Sequence, residues 1–165
     1  MSRGLGDVYK RQEDHITTVF PDVRLKGYLE MRGADGGPWS IICALPALWV
    51  GLLYDEEALE KAEAIANKFT HQDVVNARIS AAKDGLKGQL GSQSLHEVAS
   101  QIIEIAETGL RNRARFNKED KDETIFLKPL RTIVDTGLTQ ADIVRNLFHE
   151  KWAQDIQPVS YTHLR

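Results

Sequence analysis

Polar side chains recur at every second position between residues 26 and 32, where they are Lys26, Tyr28, Glu30 and Arg32. On an extended backbone all four leave the same face, with Glu30 and Arg32 about 6.6 Å apart along the strand. A carboxylate can hold a magnesium ion, while a guanidinium forks onto phosphate oxygens. The pair therefore suits a phosphate-containing ligand, and the alternative is a cross-strand ion pair on a solvated face.

The strand that would position these side chains is predicted over Val23–Arg32. Valine, leucine, glycine and methionine alternate there with polar residues, the first of which is Arg24, and this is the period of a half-buried strand. The glycine-rich run Gly33–Gly37 ends it, because glycine readily takes a positive φ. One strand is not a sheet. Its partner strands are therefore expected in missing chain or in another molecule.

After residue 38 the sequence predicts helices. The uncharged run Trp39–Tyr54 contains Pro46 and is shorter than the roughly 20 residues of a membrane-spanning helix, so a buried core helix is predicted. Residues that commonly cap helices predict five further helices, at 56–69, 74–83, 95–114, 122–134 and 141–152. The capping residues are, in the same order, Asp55, Thr70 with Asp73, Ser94 with Glu97, Asp122, and Thr139 with Asp142. A glycine-rich loop is predicted over Gly85–Gln93, and a short helix before the strand over Glu13–Phe20.

The composition excludes several classes of protein. The chain has 165 residues, 21 of them basic and 24 acidic, for a net charge of −3, which argues against a nucleic-acid-binding protein. An apolar content of 42% is enough for a packed core. Cys43 is the single cysteine and cannot form an intrachain disulfide, which favours a reducing, cytosolic setting. No membrane partner is expected.

The two ends of the chain differ from the rest. Met1–Gln12 and Ser160–Arg165 have no apolar periodicity, and strings such as DVYKRQ and PVSYTHLR resemble translated adapter sequence. Both ends are therefore predicted to be non-native, which leaves residues 13–159 as the natural segment.

Long stretches of this segment resemble a known enzyme family. The stretch FPDVRLKGYLEMRGADGGPW at residues 20–39, continued by CALPALWVGLLYD at 43–55, is similar to the C-terminal part of glutamate–cysteine ligase, in the form shared by plants and proteobacteria. The strings FHEKW and DIQPV near the end resemble the closing segment of that family. The resemblance covers Glu13–Val159, and the N-terminal part of the much longer family chain is absent.

The resemblance implies an α+β fold and a ligase function. The chain would be a fragment of a glutamine-synthetase-like fold, with one strand of the antiparallel active-site sheet followed by a mainly helical C-terminal region. The family's activity is the ATP-dependent formation of γ-glutamylcysteine from glutamate and cysteine through γ-glutamyl phosphate, the first step of glutathione biosynthesis. The implied cofactors are ATP and Mg²⁺.

The resemblance also assigns roles to the alternating residues. Glu30 is the expected magnesium ligand and Arg32 the expected catalytic, phosphate-binding arginine, while Lys26 and Tyr28 line the substrate funnel or lie on a solvated strand edge. A complete site needs further carboxylates, which the chain does not supply with suitable spacing. The isolated chain is therefore expected to be inactive without the missing N-terminal part.

The alternative is a non-catalytic helical interaction module that docks on a partner through the apolar face of Trp39–Tyr54. The two hypotheses predict different surfaces. A ligase fragment leaves the polar face of its strand exposed and the strand edges unpaired, whereas an independent module covers the strand and has a closed core.

Overall fold

The computed structural model describes residues 11–12, 15, 21–25, 27–34, 36–152 and 154–155. These residues belong to two compact units, Met1–Asp35 and Gly36–Arg165. Lys26 lies outside the described residues, as does the predicted helix Glu13–Phe20 apart from His15. The predicted non-native ends also lie outside them, apart from residues 11 and 12.

The first unit contains a β-hairpin. β1 (Val23–Leu25) pairs antiparallel with β2 (Leu29–Met31), and Arg24 lies opposite Glu30 in the register. The prediction of one continuous strand over Val23–Arg32 is therefore wrong. The predicted strand is interrupted at Gly27. A glycine within a strand pattern can indicate a turn, and the chain reverses around this residue.

The second unit is mainly helical. Its elements are, in chain order, α1 (Trp39–Leu53), α2 (Glu56–Ala66), α3 (His71–Asp84), a 3₁₀ turn (Gly85–Lys87), β3 (Gln89–Leu90), β4 (Gln93–Ser94), α4 (Leu95–Arg113), a second 3₁₀ segment (Glu123–Leu127), α5 (Lys128–Thr136) and α6 (Gln140–Glu150). β3 and β4 form a second antiparallel pair. Helices together with small antiparallel strand pairs confirm the α+β class.

The core of the helical unit forms where α1 crosses α4. Leu52 of α1 packs there with Ala106 and Leu110 of α4 and with Leu127. The two backbones approach so closely that a Cβ added at Gly109 would overlap the carbonyl oxygen of Gly51. The crossing confirms that the apolar run after residue 38 is a core helix, and Pro46 lies within it.

Side-chain caps begin four of the helices, as the sequence predicts. Asp55 accepts the backbone N–H of Ala58 at the start of α2. Complete capping boxes begin the other three, formed by Thr70 with Asp73 in α3, Ser94 with Glu97 in α4, and Thr139 with Asp142 in α6. Hydrogen bonds from these caps lower the pKa of all three box carboxyls, because they stabilise the charged form.

Two segments differ from their predictions. The predicted loop Gly85–Gln93 contains a 3₁₀ turn and part of a hairpin, and Gly85 reverses the chain after α3 with a φ of +57°. The predicted helix 122–134 begins as a 3₁₀ segment and becomes α-helical only at Lys128, with a proline in the first turn. Asp122 nevertheless caps the start, since its carboxylate accepts the backbone N–H of Thr124.

No single helix within the described residues is both long and apolar enough to span a bilayer. Only α1 and α2 taken together meet the length and composition requirement, and their axes are bent by 96° at the break between them.

Candidate functional site

One face of the hairpin carries an ion pair between its two strands. Arg24 Nε lies 2.8 Å from Glu30 Oε2 and donates a hydrogen bond to it. The two side chains are 22% and 31% exposed, so the pair is half-buried. Glu30 therefore does form the cross-strand ion pair that the sequence left open as the alternative to a metal ligand.

Arg32 continues the ladder by one residue beyond β2. Its backbone N–H donates to the carbonyl oxygen of Asp22 over 2.8 Å, which places Asp22 opposite Arg32. Because side chains alternate between the faces of a strand, the Asp22–Arg32 and Arg24–Glu30 pairs share one face of the hairpin. Arg32 is half-buried, and its Nη1 is shielded from solvent.

The other two predicted site residues are not in the strands. Tyr28 lies in the turn before β2, and 63% of its surface is exposed. Lys26 falls outside the described residues. Of the predicted set, the hairpin therefore brings together Glu30 and Arg32, while Tyr28 is at the turn.

Two residues of this face, Asp22 and Arg24, were given no site role from the sequence, although the alternation does place Arg24 on the polar face. Both precede the turn, and a continuous strand would place them far from Glu30 and Arg32. The turn at Gly27 brings them opposite instead. Interpreting Gly27 as a turn between two strands would have predicted a face with two carboxylates and two guanidinium groups.

The donor chemistry of this face fits magnesium only in part. A carboxylate oxygen is the hard ligand that Mg²⁺ prefers, and Glu30 supplies one. Its Oε2, however, already accepts the hydrogen bond from Arg24. Within the described ranges, no three histidine, cysteine, aspartate or glutamate side chains group closely enough to hold a metal ion. The described side chains of this face therefore do not form a metal site by themselves.

The apolar face of the hairpin is open to solvent. Val23, Leu25 and Leu29 are 49%, 77% and 58% exposed. A ligase fragment was expected to expose the polar face. Asp22 is exposed, but Arg24, Glu30 and Arg32 are half-buried, so this expectation holds only in part. Two short strands with outer edges unpaired in the described sheet resemble a piece of a larger sheet.

Curated relatives of this chain share one description. The chain is 43% identical over 147 residues to a glutamate–cysteine ligase of Solanum lycopersicum, a match that covers 89% of this chain and 27% of the relative. It is 40% identical over 147 residues to glutamate–cysteine ligase A of Oryza sativa subsp. indica (89% and 29%), and 40% identical over 151 residues to the Arabidopsis thaliana ligase (92% and 28%). The chain thus spans little more than a quarter of the length of these relatives.

The names of these relatives correct the predicted compartment. All three are described as chloroplastic, so the prediction of a cytosolic setting is wrong. The prediction rested on Cys43 being the single cysteine. A shortage of cysteines fits any reducing compartment and does not distinguish one from another.

The resemblance of residues 20–39 and 43–55 is confirmed by comparison with protein families. The model that describes glutamate–cysteine ligase family 2 matches residues 1–162, which is nearly the whole chain. This extent far exceeds a shared motif, and it includes both the hairpin and the helical unit. The chain belongs to glutamate–cysteine ligase family 2.

Proposed function

We propose that this chain is the C-terminal part of a glutamate–cysteine ligase that joins glutamate to cysteine with ATP and Mg²⁺. The product is γ-glutamylcysteine, formed through γ-glutamyl phosphate in the first step of glutathione biosynthesis. The observation that carries the proposal is the family match across residues 1–162. The glutamine-synthetase-like fold follows from the family, as does the need for the larger part of the chain that precedes this one.

In this proposal the polar face of the hairpin meets the phosphates of ATP. Glu30 contributes one carboxylate to the metal, and Arg32 is the catalytic arginine that neutralises phosphate oxygens as charge moves onto them. Bound magnesium supplies a positive charge that screens the phosphates. The shielding of Arg32 Nη1 supports this role, because a guanidinium N–H away from solvent interacts more strongly with an anion.

Lys26 and Tyr28 are proposed to line the substrate funnel. The exposed ring of Tyr28 is compatible with contact to a small molecule that arrives from solvent. The proposed substrates are glutamate, cysteine and ATP. The division of the chain into non-native ends and a natural segment of residues 13–159 stays a prediction.

The alternative of a helical docking module receives less support. It needs the apolar face of α1 to be available, but Ala44 and Leu52 of that helix are buried at 0% and 5% exposure. Trp39 and Ile42 near its beginning are exposed, at 76% and 48%. The greater part of the apolar face therefore packs within the helical unit.

A chimera tests the proposed residue roles. In it, this chain replaces the matching 147 residues of the Solanum lycopersicum ligase, and formation of γ-glutamylcysteine is measured by chromatography. We expect Glu30→Gln and Arg32→Gln to lower kcat by at least about a hundredfold, because each removes a preorganised charge from the reacting phosphate. Tyr28→Phe is expected mainly to raise KM, since it removes a binding contact.

The matched control is Glu57→Gln in α2. Glu57 is also a paired glutamate, with an ion pair to Lys61, but it is well exposed on a helix surface. Its substitution should leave kcat within about twofold of the unsubstituted chimera. Activity of Glu30→Gln equal to that of Glu57→Gln would refute the metal-ligand role of Glu30.

A further inference from the structure

The helix α6 (Gln140–Glu150) has an apolar stripe that its neighbours do not fully bury. Thr139 and Asp142 form a complete capping box at its start, yet none of its residues is buried. It makes no extensive contact with another helix or strand of the described residues. An amphipathic helix of a soluble protein normally packs its apolar stripe against a core. The stripe of α6 therefore lacks a full cover within the part of the chain that the structure describes.

This stripe forms one wall of an apolar groove. The groove has a volume of about 450 Å³ and lies between α6, α5 and the start of α1, all within the helical unit. Ile143, Val144 and Leu147 line it from α6. Ile41 of α1 and Ile133 of α5 line it from the other sides. Ile143 is 45% exposed, so water now reaches this surface.

The polar side chains of the groove are uncharged. They are those of Ser40, Thr132 and Gln140, and none of the residues that line the groove is ionisable. The groove therefore offers no charged partner to the phosphates or carboxylates of a charged small molecule. Its chemistry suits an apolar, uncharged segment of polypeptide.

We propose that this groove is the docking site for an apolar segment of the ligase chain that precedes these 165 residues. The inference rests on the proposed function, which takes the chain as the C-terminal part of a longer ligase. The family match extends to residue 162 and so includes α6, whereas the chain covers only 27% of the Solanum lycopersicum relative. The greater part of such a ligase thus lies outside this chain and can supply the cover that α6 lacks.

The size of the groove favours a segment of the same chain over a second copy. Stable interfaces between separate molecules typically bury more than about 1,000 Å² in total. A groove lined by a dozen residues is small for such an interface. A segment of the same chain binds at a high effective concentration and therefore needs less contact area.

Cysteine labelling of the Solanum lycopersicum chimera tests the docking. Ser40 is exposed at the groove, and Ser40→Cys in a Cys43→Ala background is labelled with a maleimide and located by mass spectrometry. In the 165-residue chain we expect rapid labelling at every protein concentration. In the chimera the rate should be at least about tenfold lower, because a covered thiol reacts only when the surface opens.

Ser92→Cys is the matched control. Ser92 is exposed in the turn between β3 and β4, away from the groove. Its labelling rate should agree within about twofold between the 165-residue chain and the chimera, since the proposed segment does not cover it.

Charge substitutions give a second measurement of the same contact. Ile143→Glu should change the melting temperature of the 165-residue chain little but should lower that of the chimera, because it places a carboxylate in an apolar contact. Ile79→Glu is the control, because Ile79 is 70% exposed on α3 and does not line the groove. It should have the same effect in both proteins.

Equal labelling of position 40 in the chimera and in the 165-residue chain overturns the inference, as does equal protection of positions 40 and 92. Labelling of the 165-residue chain that slows with concentration also overturns it, because a second copy is then the occupant. So does slow labelling that is relieved in a chain ending at Asp155, because residues 156–165 are then the occupant. Failure of the proposed function is distinguishable, because it appears as a folded chimera that forms no γ-glutamylcysteine.

Discussion

At the scale of single residues, Glu107 of α4 is the centre of the best-defined charge cluster. Its carboxylate accepts hydrogen bonds from Arg131 of α5, with Nε 3.0 Å from Oε1 and Nη2 2.9 Å from Oε2. Arg111, one turn further along α4, lies 3.2 Å away. The hydrogen bond to Glu107 is the main reason that the pKa of Arg131 is raised. A forked arginine–carboxylate pair between two helices fixes their relative position.

Glu107→Gln should therefore lower the free energy of unfolding by about 1 kcal/mol, since it removes the charge while keeping the shape. Urea denaturation followed by circular dichroism measures the change. Glu119→Gln is the control, because Glu119 also forms an ion pair, with Lys121, but is 70% exposed. Equal effects of the two substitutions would contradict the role given to Glu107.

Residue types and spacing indicated Glu30 and Arg32 but not what faces them. The E-x-R pattern is local and can be recognised from sequence. Arg24 and Asp22 become their neighbours only because the chain reverses at Gly27. Polar and apolar residues alternate in the same way along one continuous strand and along a hairpin with a three-residue turn. The periodicity of residues 23–32 therefore could not distinguish the two.

At the scale of elements, the helix starts were predictable because capping depends on residues three positions apart. The Ser94 hydroxyl accepts the backbone N–H of Glu97, and the Glu97 carboxylate accepts the backbone N–H of Ser94. Both bonds lie within four residues. The 3₁₀ segment before α5 was not predicted, because its bounds depend on packing against α1 and α4, which lie far away in sequence.

Ser94→Ala should destabilise the chain by about 1 kcal/mol at neutral pH, because it leaves an N–H at the start of α4 without its acceptor. Chemical denaturation provides the measurement. Thr108→Ala is a suitable control within the same helix, since the Thr108 hydroxyl only donates to the carbonyl of Glu104 on an exposed surface. A loss for Thr108→Ala as large as that for Ser94→Ala would contradict the capping argument.

The capping boxes also predict an acid-sensitive stability. The pKa values of Asp73, Glu97 and Asp142 are lowered in the folded chain by hydrogen bonds from Thr70, Ser94 and Thr139. A lowered folded-state pKa gives stability that is complete above the ordinary values of 3.8 and 4.5 and is lost as the pH falls through the folded-state values.

Thermal unfolding between pH 7 and pH 2 tests this linkage. The melting temperature should change little down to about pH 5 and then fall. The difference between the unsubstituted chain and a Thr70→Ala, Ser94→Ala, Thr139→Ala variant should shrink over the same acid range. A difference that stays constant down to pH 2 would argue against ionised caps.

The crossing of α1 and α4 sets a strict size limit at two glycines. A methyl group at Gly109 would overlap the carbonyl oxygen of Gly51, and one at Gly51 would overlap that of Ala106. Gly109→Ala should therefore lower the free energy of unfolding by about 2–3 kcal/mol, although alanine is the better helix former. The Gly36→Ala control meets nothing within 4 Å and should be nearly neutral in urea denaturation.

At the scale of the whole molecule, the helical unit has a core of its own, whereas the hairpin exposes apolar side chains. Leu110 and Leu127 are fully buried, whereas the hairpin leaves Leu25 at 77% exposure. Phosphoryl transfer needs several charges preorganised around the nucleotide, and the hairpin brings together two carboxylates, Asp22 and Glu30, with two arginines, Arg24 and Arg32. Most of the family chain lies outside these residues.

The isolated chain should accordingly show no ATP- and glutamate-dependent phosphate release. Its rate should equal that of a Glu30→Ala variant in a coupled phosphate assay, because the match covers only 27% of the Solanum lycopersicum ligase. Release above this control would mean that these 165 residues already contain a working site.

Formation of γ-glutamylcysteine by the chimera with the Solanum lycopersicum ligase measures whether this chain can serve as part of such a ligase. If this chain is the C-terminal part of such a ligase, it should replace the matching region, and the chimera should form product from glutamate, cysteine and ATP at a rate within about tenfold of the parent enzyme. A chimera that is soluble and folded, yet forms no γ-glutamylcysteine, would contradict the proposed function.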